Sequence, residues 1–226
     1  PSEMPTEYQK EALKAQAVCA RSYAIKQMAG KRLAALGAHV DDSVSFQVYN
    51  NLREDAASIA AVNETKGQVV FAENQVAETY FYSVSAGVSA GIKEVWFAKK
   101  DRSYLMPCVL LGDSRKTLDL QKEADFSEFL QGEIKSYDTN SPWYRWRTTV
   151  SEKQLQQFIS EKIKSRYEKN PTQIQTKQKD GTFFSTGQTE LGEIKKVEIL
   201  KRGKSGVAVM AQITGSKNTL RIYTEY

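Results

Sequence analysis

The strongest constraint in this sequence is one long stretch of helical periodicity. From Glu7 to about Leu33, Leu13, Ala17, Ala20, Ala24 and Met28 recur at intervals of three and four residues, the spacing that places side chains on one helix face. Ala12, Ala15, Ala17, Ala20 and Ala24 keep the segment small on nearly every side, so neighbours can approach it closely on two faces. A central helix is therefore expected. Pro5-Thr6 supplies its start signal, with Thr6 as an N-cap, and Gly30 and Gly37 bracket its end. With 226 residues, of which 40% are hydrophobic and 26% charged, the chain can bury a core of ordinary depth. That composition fits a soluble folded protein of one large or two small domains; it excludes a disulfide-framed mini-protein and a disordered chain.

Downstream, Asp41 to Asn51 alternates Val44, Phe46 and Val48 with Ser45, Gln47 and Tyr49, as a short strand or extended loop does. Asp55 to Thr65 reads as a second helix, broken by Lys66-Gly67. Strands are predicted at Gln68 to Phe71 and Val76 to Tyr82, with a hairpin turn at Glu73-Asn74. Ser83 to Gly91 is small and hydroxylic, a loop whose backbone must come close to something. After Gly112-Asp113 long charged side chains dominate and alanine becomes scarce, which places a domain boundary there, giving a core at 1–112 and a second lobe at 113–226.

In that lobe a helix is expected near Phe126 to Leu130, a strand at Ser141 to Val150, and a helix from Ser151 to Lys164 capped by Ser151. Asn170 to Thr186 reads as a polar loop, and Ile194 to Leu200 pairs with Val207 to Thr214 around a basic tip, Lys201-Arg202-Gly203-Lys204-Ser205-Gly206. Such a tip is more often a solvated turn than a polyanion site. The expected fold is α+β, with the helix Glu7 to Leu33 packed on a mostly antiparallel sheet drawn from residues 41 to 110. A cleft is expected between that core and the second α+β lobe.

The chemistry open to the chain narrows by counting. His39 is the only histidine, and the two cysteines, Cys19 and Cys108, are far apart in sequence, so no metal-ligand spacing exists and no metal or cofactor is expected. Cys19 sits among alanines like a small buried hydrophobe. No phosphate-cradling glycine motif follows a strand. The net charge of +5 and pI near 9 are a mild bias towards polyanions; without a motif they do not make a nucleic-acid binder. No apolar run approaches the roughly 18 residues of a membrane span, and no signal peptide opens the chain. It begins at Pro1 without methionine and stops at Tyr223-Thr224-Glu225-Tyr226 within a strand-like run. A leader or anchor outside it is therefore expected, and the second lobe is expected to be cut short.

Carboxylate chemistry remains, and one stretch stands apart. Glu3-Met4-Pro5 precedes the alanine-rich helix, near the positive end of its dipole, where a glutamate is usually a capping charge. Ser2-Glu3-Met4-Pro5 followed by Glu11-Ala12-Leu13-Lys14-Ala15-Gln16-Ala17-Val18-Cys19-Ala20-Arg21-Ser22-Tyr23-Ala24 closely resembles the opening of the stage II sporulation protein D (SpoIID) family. Three later stretches agree in order: Asp42 with Phe46-Gln47-Val48-Tyr49; Ala61-Val62-Asn63-Glu64-Thr65-Lys66-Gly67; and Ser83-Val84-Ser85-Ala86-Gly87-Val88-Ser89 leading to Glu94-Val95-Trp96 and Tyr104-Leu105. Together they cover about residues 1 to 112. Beyond them the likeness rests on Pro142-Trp143-Tyr144-Arg145-Trp146 and the following helix.

The resemblance implies a peptidoglycan lytic transglycosylase of forespore engulfment, acting by preference on glycan strands free of stem peptides, or else an amidase enhancer. It implies Glu3 as the catalytic residue, with Lys14, Arg21 and Tyr104 as polar positions around a cleft. Gln47 and Tyr49 are placed to bond sugar hydroxyls, Trp96 or Tyr104 to stack on a pyranose, and Ser85, Gly87 and Ser89 to form a loop that lets a bulky polymer approach. One carboxylate suffices for such an enzyme, because the sugar's own 6-hydroxyl is the nucleophile. Glu3 must then start protonated, which favours a partly buried setting. Ala86 departs from the family pattern, which has glycine there, and this matters if that glycine needs a positive φ. The partners implied are glycan strands and, in the alternative, a cell-wall amidase. No nucleic acid is implied, and membrane contact comes only through a segment outside this chain. The implied location is extracytoplasmic, at the wall or anchored to the outer side of a membrane.

Overall fold

The structure is a computed structural model that describes residues 2–96, 101–110, 118–132 and 134–223. It combines helices with antiparallel sheet, so the α+β class holds. The chain divides into two compact units, Pro1–Ser83 and Val84–Tyr226. The composition shift at 112/113 falls outside the described residues.

In the first unit the long helix, α1, spans Lys10–Met28. It starts later than expected because the Pro5 region makes a turn, with the Tyr8 N–H donating to Pro5 O at 3.3 Å. Its N-cap is Gln9, which makes no side-chain cap bond, and not Thr6. The second helix, α2, spans Ala56–Glu64 and is capped by Asp55, whose carboxylate accepts from the Ala57 and Ser58 N–H groups. The two helices pack on each other. The small residues Ser22, Ala61 and Ala77 are buried in this unit. Ser22 Oγ donates to Val18 O and accepts from the Val70 N–H, and Thr79 Oγ1 donates to Cys19 O, which ties the following chain along α1.

The predicted turn at Glu73-Asn74 joins β1, Phe71–Ala72, to β2, Gln75–Val76. Both turn residues have positive φ, 51° and 59°, the pair of left-handed conformations of a type I′ hairpin turn. The strand expected at Val76 to Tyr82 stops at Val76, and Asp41 to Asn51 is no strand at all. The reason in 41–51 is where its backbone donors go: the Val48 N–H donates to Glu3 and the Asn50 N–H to Ser2 Oγ, not to a neighbouring strand. Phe46 is its buried anchor, with the Arg32 guanidinium 4.5 Å above the ring. The sheet expected over residues 41–110 thus reduces to two short ladders. One is β1–β2; the other, in the second unit, pairs β3, Val88–Ser89, with β4, Cys108–Val109.

The principal sheet lies later in the second unit. After α3 (Ile92–Val95), α4 (Glu123–Gln131) and α5 (Glu152–Lys169) come β5 (Ile174–Lys177), β6 (Phe183–Phe184), β7 (Ile194–Arg202), β8 (Ala208–Gly215) and β9 (Thr219–Tyr223). The last five form one antiparallel sheet in the order β6-β5-β9-β8-β7. Ser151 and Gln154 close a capping box at the start of α5. Its Ile163 joins Ile174, Leu191, Ile213 and Leu220 in the core.

Two expectations fail in this unit. The polar loop expected at 170–186 contains β5 and β6. Ile174 and Thr176 alternate inward among polar residues, and Thr176, only 1% exposed, donates to Gln188 O, so a hydroxyl fills a core position that periodicity in apolar residues does not reveal. The strand expected at 141–150 is turn through residue 145, closed by Ser141 N–H to Asp138 O and Tyr144 N–H to Ser141 O, and irregular after it, with Arg145 at φ +52°. The basic tip of the β7–β8 hairpin is not a freely solvated turn. Ser205 bonds the Glu94 carboxylate, and Arg202 forks onto Glu123 while lying 3.7 Å over the Phe126 ring. Among the described residues no helix is long and apolar enough to cross a membrane.

Candidate functional site

The first unit holds a cavity of about 560 Å³. One wall is the face of α1 that carries Leu13, Gln16, Ala17 and Ala20; another is α2 with Ser58, Ile59, Ala61, Val62 and Asn63. The rim is the chain at Ser2-Glu3-Met4 facing Val48-Tyr49 and Leu52. The small residues of α1 leave this space, since alanines at 17 and 20 stop short of where longer side chains would fill it. Glu3 is exposed, not partly buried as the chemistry had suggested. Its Oε1 accepts the Val48 N–H at 2.5 Å, and the companion bond from the Asn50 N–H to Ser2 Oγ, 3.0 Å, fixes the same two strands of chain. Among the described residues Oε2 has no hydrogen-bond partner, so one oxygen anchors the group and the other faces what enters. Among the described residues Gln16 Nε2 is buried and has no hydrogen-bond partner, which carries a desolvation cost. Glu54 also lines the cavity.

Tyr49 lines the rim, its hydroxyl 3.4 Å from Asn51 Oδ1. Gln47 is turned away, donating to Ala20 O at 3.1 Å. Lys14 is in an ion-pair cluster with Glu11 and Glu64, beside Lys10–Glu64; the Glu11 bond and the two negative charges raise its pKa against a smaller burial effect. Arg21 is spent on the end of α2: Nη1 donates to Thr65 O and Gln68 O, each at 2.8 Å, and Nη2 to Val62 O at 3.2 Å. Neither Lys14, Arg21 nor Gln47 is on the cavity wall.

The small-residue loop belongs to the second unit and is cross-braced there. Asp138 Oδ2 accepts both the N–H and the Oγ–H of Ser85, and Ser85 Oγ in turn accepts the Gly87 N–H. Ser89 Oγ accepts the Cys108 N–H at 3.0 Å within β3–β4. Arg145 Nε donates to Ala86 O, and Nη1 to Gly132 O, while the guanidinium lies 4.3 Å over Phe129; burial lowers its pKa. Ala86 is not among the residues of positive φ, whereas Gly87 has φ +104°. The alanine is therefore no obstacle to the loop's geometry, and the position that requires glycine is 87. Trp96 follows α3 with its N–H on Ile92 O, and Tyr104 is half-buried beside it in sequence at 101–105. Among the described residues no three His, Cys, Asp or Glu side chains group as metal ligands.

Comparison with known proteins places this geometry in a family. Residues 1–71 match the family described as "Stage II sporulation protein", SpoIID. An "Amidase enhancer" of Bacillus subtilis (strain 168) is 34% identical over 108 residues, covering 45% of this chain and 14% of that protein. "Stage II sporulation protein D" of Bacillus amyloliquefaciens is 34% identical over 109 residues, and that of Bacillus subtilis (strain 168) 33%, each covering 42% of this chain and 32% of the relative. The first 71 residues are thus a SpoIID-type segment. Residues 90–226, more than half of the chain, match and belong to a second family, described as "Domain of unknown function (DUF8618)". The chain spans only 14% to 32% of the length of those curated relatives.

The SpoIID segment carries all the cavity residues. Of the candidates from sequence, the structure brings Glu3 and Tyr49 to the cavity and leaves the other first-unit candidates on structural contacts. Gln16, Asn63 and Glu54 are cavity residues that sequence reasoning missed. Gln16 had a signal: it is a polar residue one helical step from Leu13, Ala17 and Ala20, interrupting the SpoIID helix on its small apolar face.

Proposed function

We propose that the SpoIID segment is a peptidoglycan lytic transglycosylase, with Glu3 as the acid and then the base. The observation that carries this reading is Glu3 on the rim of a 560 Å³ cavity, one carboxylate oxygen fixed by the Val48 N–H and the other unbonded among the described residues. Protonated Glu3 donates its proton to the glycosidic oxygen as the C1–O bond breaks, releasing the downstream glycan as an alcohol. The resulting carboxylate takes the proton of the 6-hydroxyl of the same muramyl residue while O6 bonds C1. The product is a 1,6-anhydro end, no water is consumed, and Glu3 returns to its acid form.

Gln16, Tyr49 and Asn63 line the cavity and offer amide and hydroxyl partners for sugar groups. The site of action is outside the cytoplasm, where such strands are found, and the positive net charge suits an anionic wall. Ser85, Gly87 and Ser89, with Trp96 and Tyr104, all in the unit Val84–Tyr226, contact the same polymer.

The test is digestion of glycan strands stripped of stem peptides by the wild type and by Glu3→Gln. Anhydro-muramyl ends are expected from the wild type alone; equal release by both proteins would sink the proposal. A second reading is favoured by the relative named an amidase enhancer: the chain binds wall and stimulates a partner amidase without cutting glycan. It predicts amidase stimulation that Glu3→Gln leaves unchanged, with no new anhydro ends from either protein.

A further inference from the structure

The second unit carries an aromatic surface that the cavity chemistry does not use. Within ten residues of chain, Tyr137, Trp143 and Trp146 are 83%, 70% and 67% exposed. None of the three makes a ring–ring or cation–ring contact with another described residue. Isolated exposed apolar side chains are ordinary, but two tryptophans and a tyrosine on one short segment are not.

The segment that displays them is fixed from beneath. Asp138 holds Ser85, the Tyr144 hydroxyl donates to Ile134 O at 2.9 Å, and Arg145, at positive φ between the two tryptophans, is locked onto Ala86 O and Gly132 O. The side chains between the rings therefore point inward as anchors, and the backbone turn sends the rings outward. Rings held ready on a fixed backbone lose little entropy on binding.

Two features select the ligand. Lys135 and Arg147 flank the segment, are exposed, and have no ion-pair partner among the described residues. The remaining groups, Ser136, Thr139, Asn140 and Ser141, are small and polar, not the contiguous aliphatic area that a protein partner of ordinary size buries. Flat rings for C–H faces and two cations for carboxylates fit an acidic polysaccharide, while the Ser136, Thr139 and Ser141 hydroxyls bond the segment's own backbone. A single-stranded nucleic acid would also stack on the rings, but it needs a basic groove along its backbone; two lysine and arginine charges beside the Asp138 carboxylate do not make one.

We propose that this surface of the DUF8618 domain is a binding platform for a carboxylate-bearing glycan, with Trp143 and Trp146 stacking on pyranose rings and Lys135 and Arg147 pairing with the carboxylates. A glycan strand freed of its stem peptides, which bares a lactyl carboxylate on every muramyl residue, is the occupant. This assignment does not depend on Glu3 being catalytic.

The experiment measures binding of the whole chain to soluble denuded glycan strands by tryptophan fluorescence and by pelleting with the insoluble polymer. Wild type and Glu3→Gln are expected to bind alike, and W143A/W146A to bind at least about tenfold more weakly with an unchanged thermal melt. K135Q/R147Q should bind more weakly at low salt and lose most of the salt dependence. Unchanged binding by W143A/W146A overturns the proposal. So does wild-type affinity for neutral chitin oligomers equal to that for the acidic strand, or a preference for single-stranded DNA over the strand. If Glu3→Gln still produces anhydro ends while the tryptophan variant loses binding, the catalytic reading falls and this one stands.

Discussion

Arg21 offers the sharpest separation of a structural role from a catalytic one. Family resemblance places it near a cleft, whereas its guanidinium bonds three backbone carbonyls at the end of α2. A hydrogen bond from a charged donor contributes about 1.5–3 kcal/mol. The bond to Thr65 O is part-buried and takes that value, while those to Gln68 O and Val62 O are exposed, and water replaces them at a loss of roughly 0.5 kcal/mol each. A cation at the negative end of α2 adds about 0.3–1 kcal/mol. Arg21→Ala should therefore lose about 3–5 kcal/mol, which for a unit of this size is a fall of at least about 12 °C in melting temperature. Arg21→Lys should recover less than half of that, because one ammonium cannot fork across three carbonyls. Urea unfolding followed by far-ultraviolet circular dichroism measures the loss, and glycan cleavage at a temperature where the variant stays folded measures activity. A variant within about 0.5 kcal/mol of wild type that has nonetheless lost cleavage would refute the structural reasoning and return Arg21 to the chemistry.

Three further outcomes follow from the geometry. Glu54→Gln should leave the anhydro product yield within about twofold of wild type, because the lytic reaction needs one carboxylate; loss of activity, with reducing ends as the wild-type product, would mean a hydrolase that uses both acids. The Glu123 carboxyl is held below the usual glutamate range by the hydrogen bond from Arg202, so the clasp's stabilisation is complete above the ordinary glutamate value and is lost as pH falls through the lowered one. Glu123→Gln should accordingly flatten the acid limb of the stability profile, measured by melting temperature between neutral pH and about pH 3. Partial burial pushes the Cys19 thiol up while Cys108 is exposed; alkylation followed by peptide mapping should find Cys108 modified first and Cys19 more slowly.

What the sequence displayed of the fold follows from which residues carry local signals. Helices α1, α2 and α5 were visible because periodicity, Asp55 and Ser151 all act within a few residues of the element they define. The β1–β2 turn was visible for the same reason, since Glu73-Asn74 is itself the hairpin signal. Alternation states only that a segment is extended or half-buried: in 41–51 the loop alternative held, and the strand expected at 141–150 failed. Whether it becomes a strand depends on a partner, and here other acceptors took the backbone donors: the Glu3 and Ser2 side chains in the first case, backbone carbonyls of the turns in the second. Strands β5 and β6 were hidden for the converse reason, a polar sequence in which β9 recruited β5, and β5 recruited β6, by backbone bonding.

The candidate site shows the same division more sharply. Glu3 is identifiable only through the motif around it, since by itself it is a glutamate before a helix. Its position on the rim depends on a contact to Val48 across a sequence separation of 45. Lys14 and Arg21 sit in the same motif, yet their charges pair with Glu11 and Glu64 or with α2's carbonyls, so a motif residue can serve the helix pair that builds the cavity without facing it. Gln16 does the opposite: it has no charge to attract notice, but an amide nitrogen buried without a partner is tolerated in a stable fold only at a cost. An unpaired donor on a cavity wall is better evidence for a ligand-facing residue than a paired cation nearby. In the proposed reading Glu3 is the acid on the rim, and Arg21 belongs to the frame that holds α1 against α2.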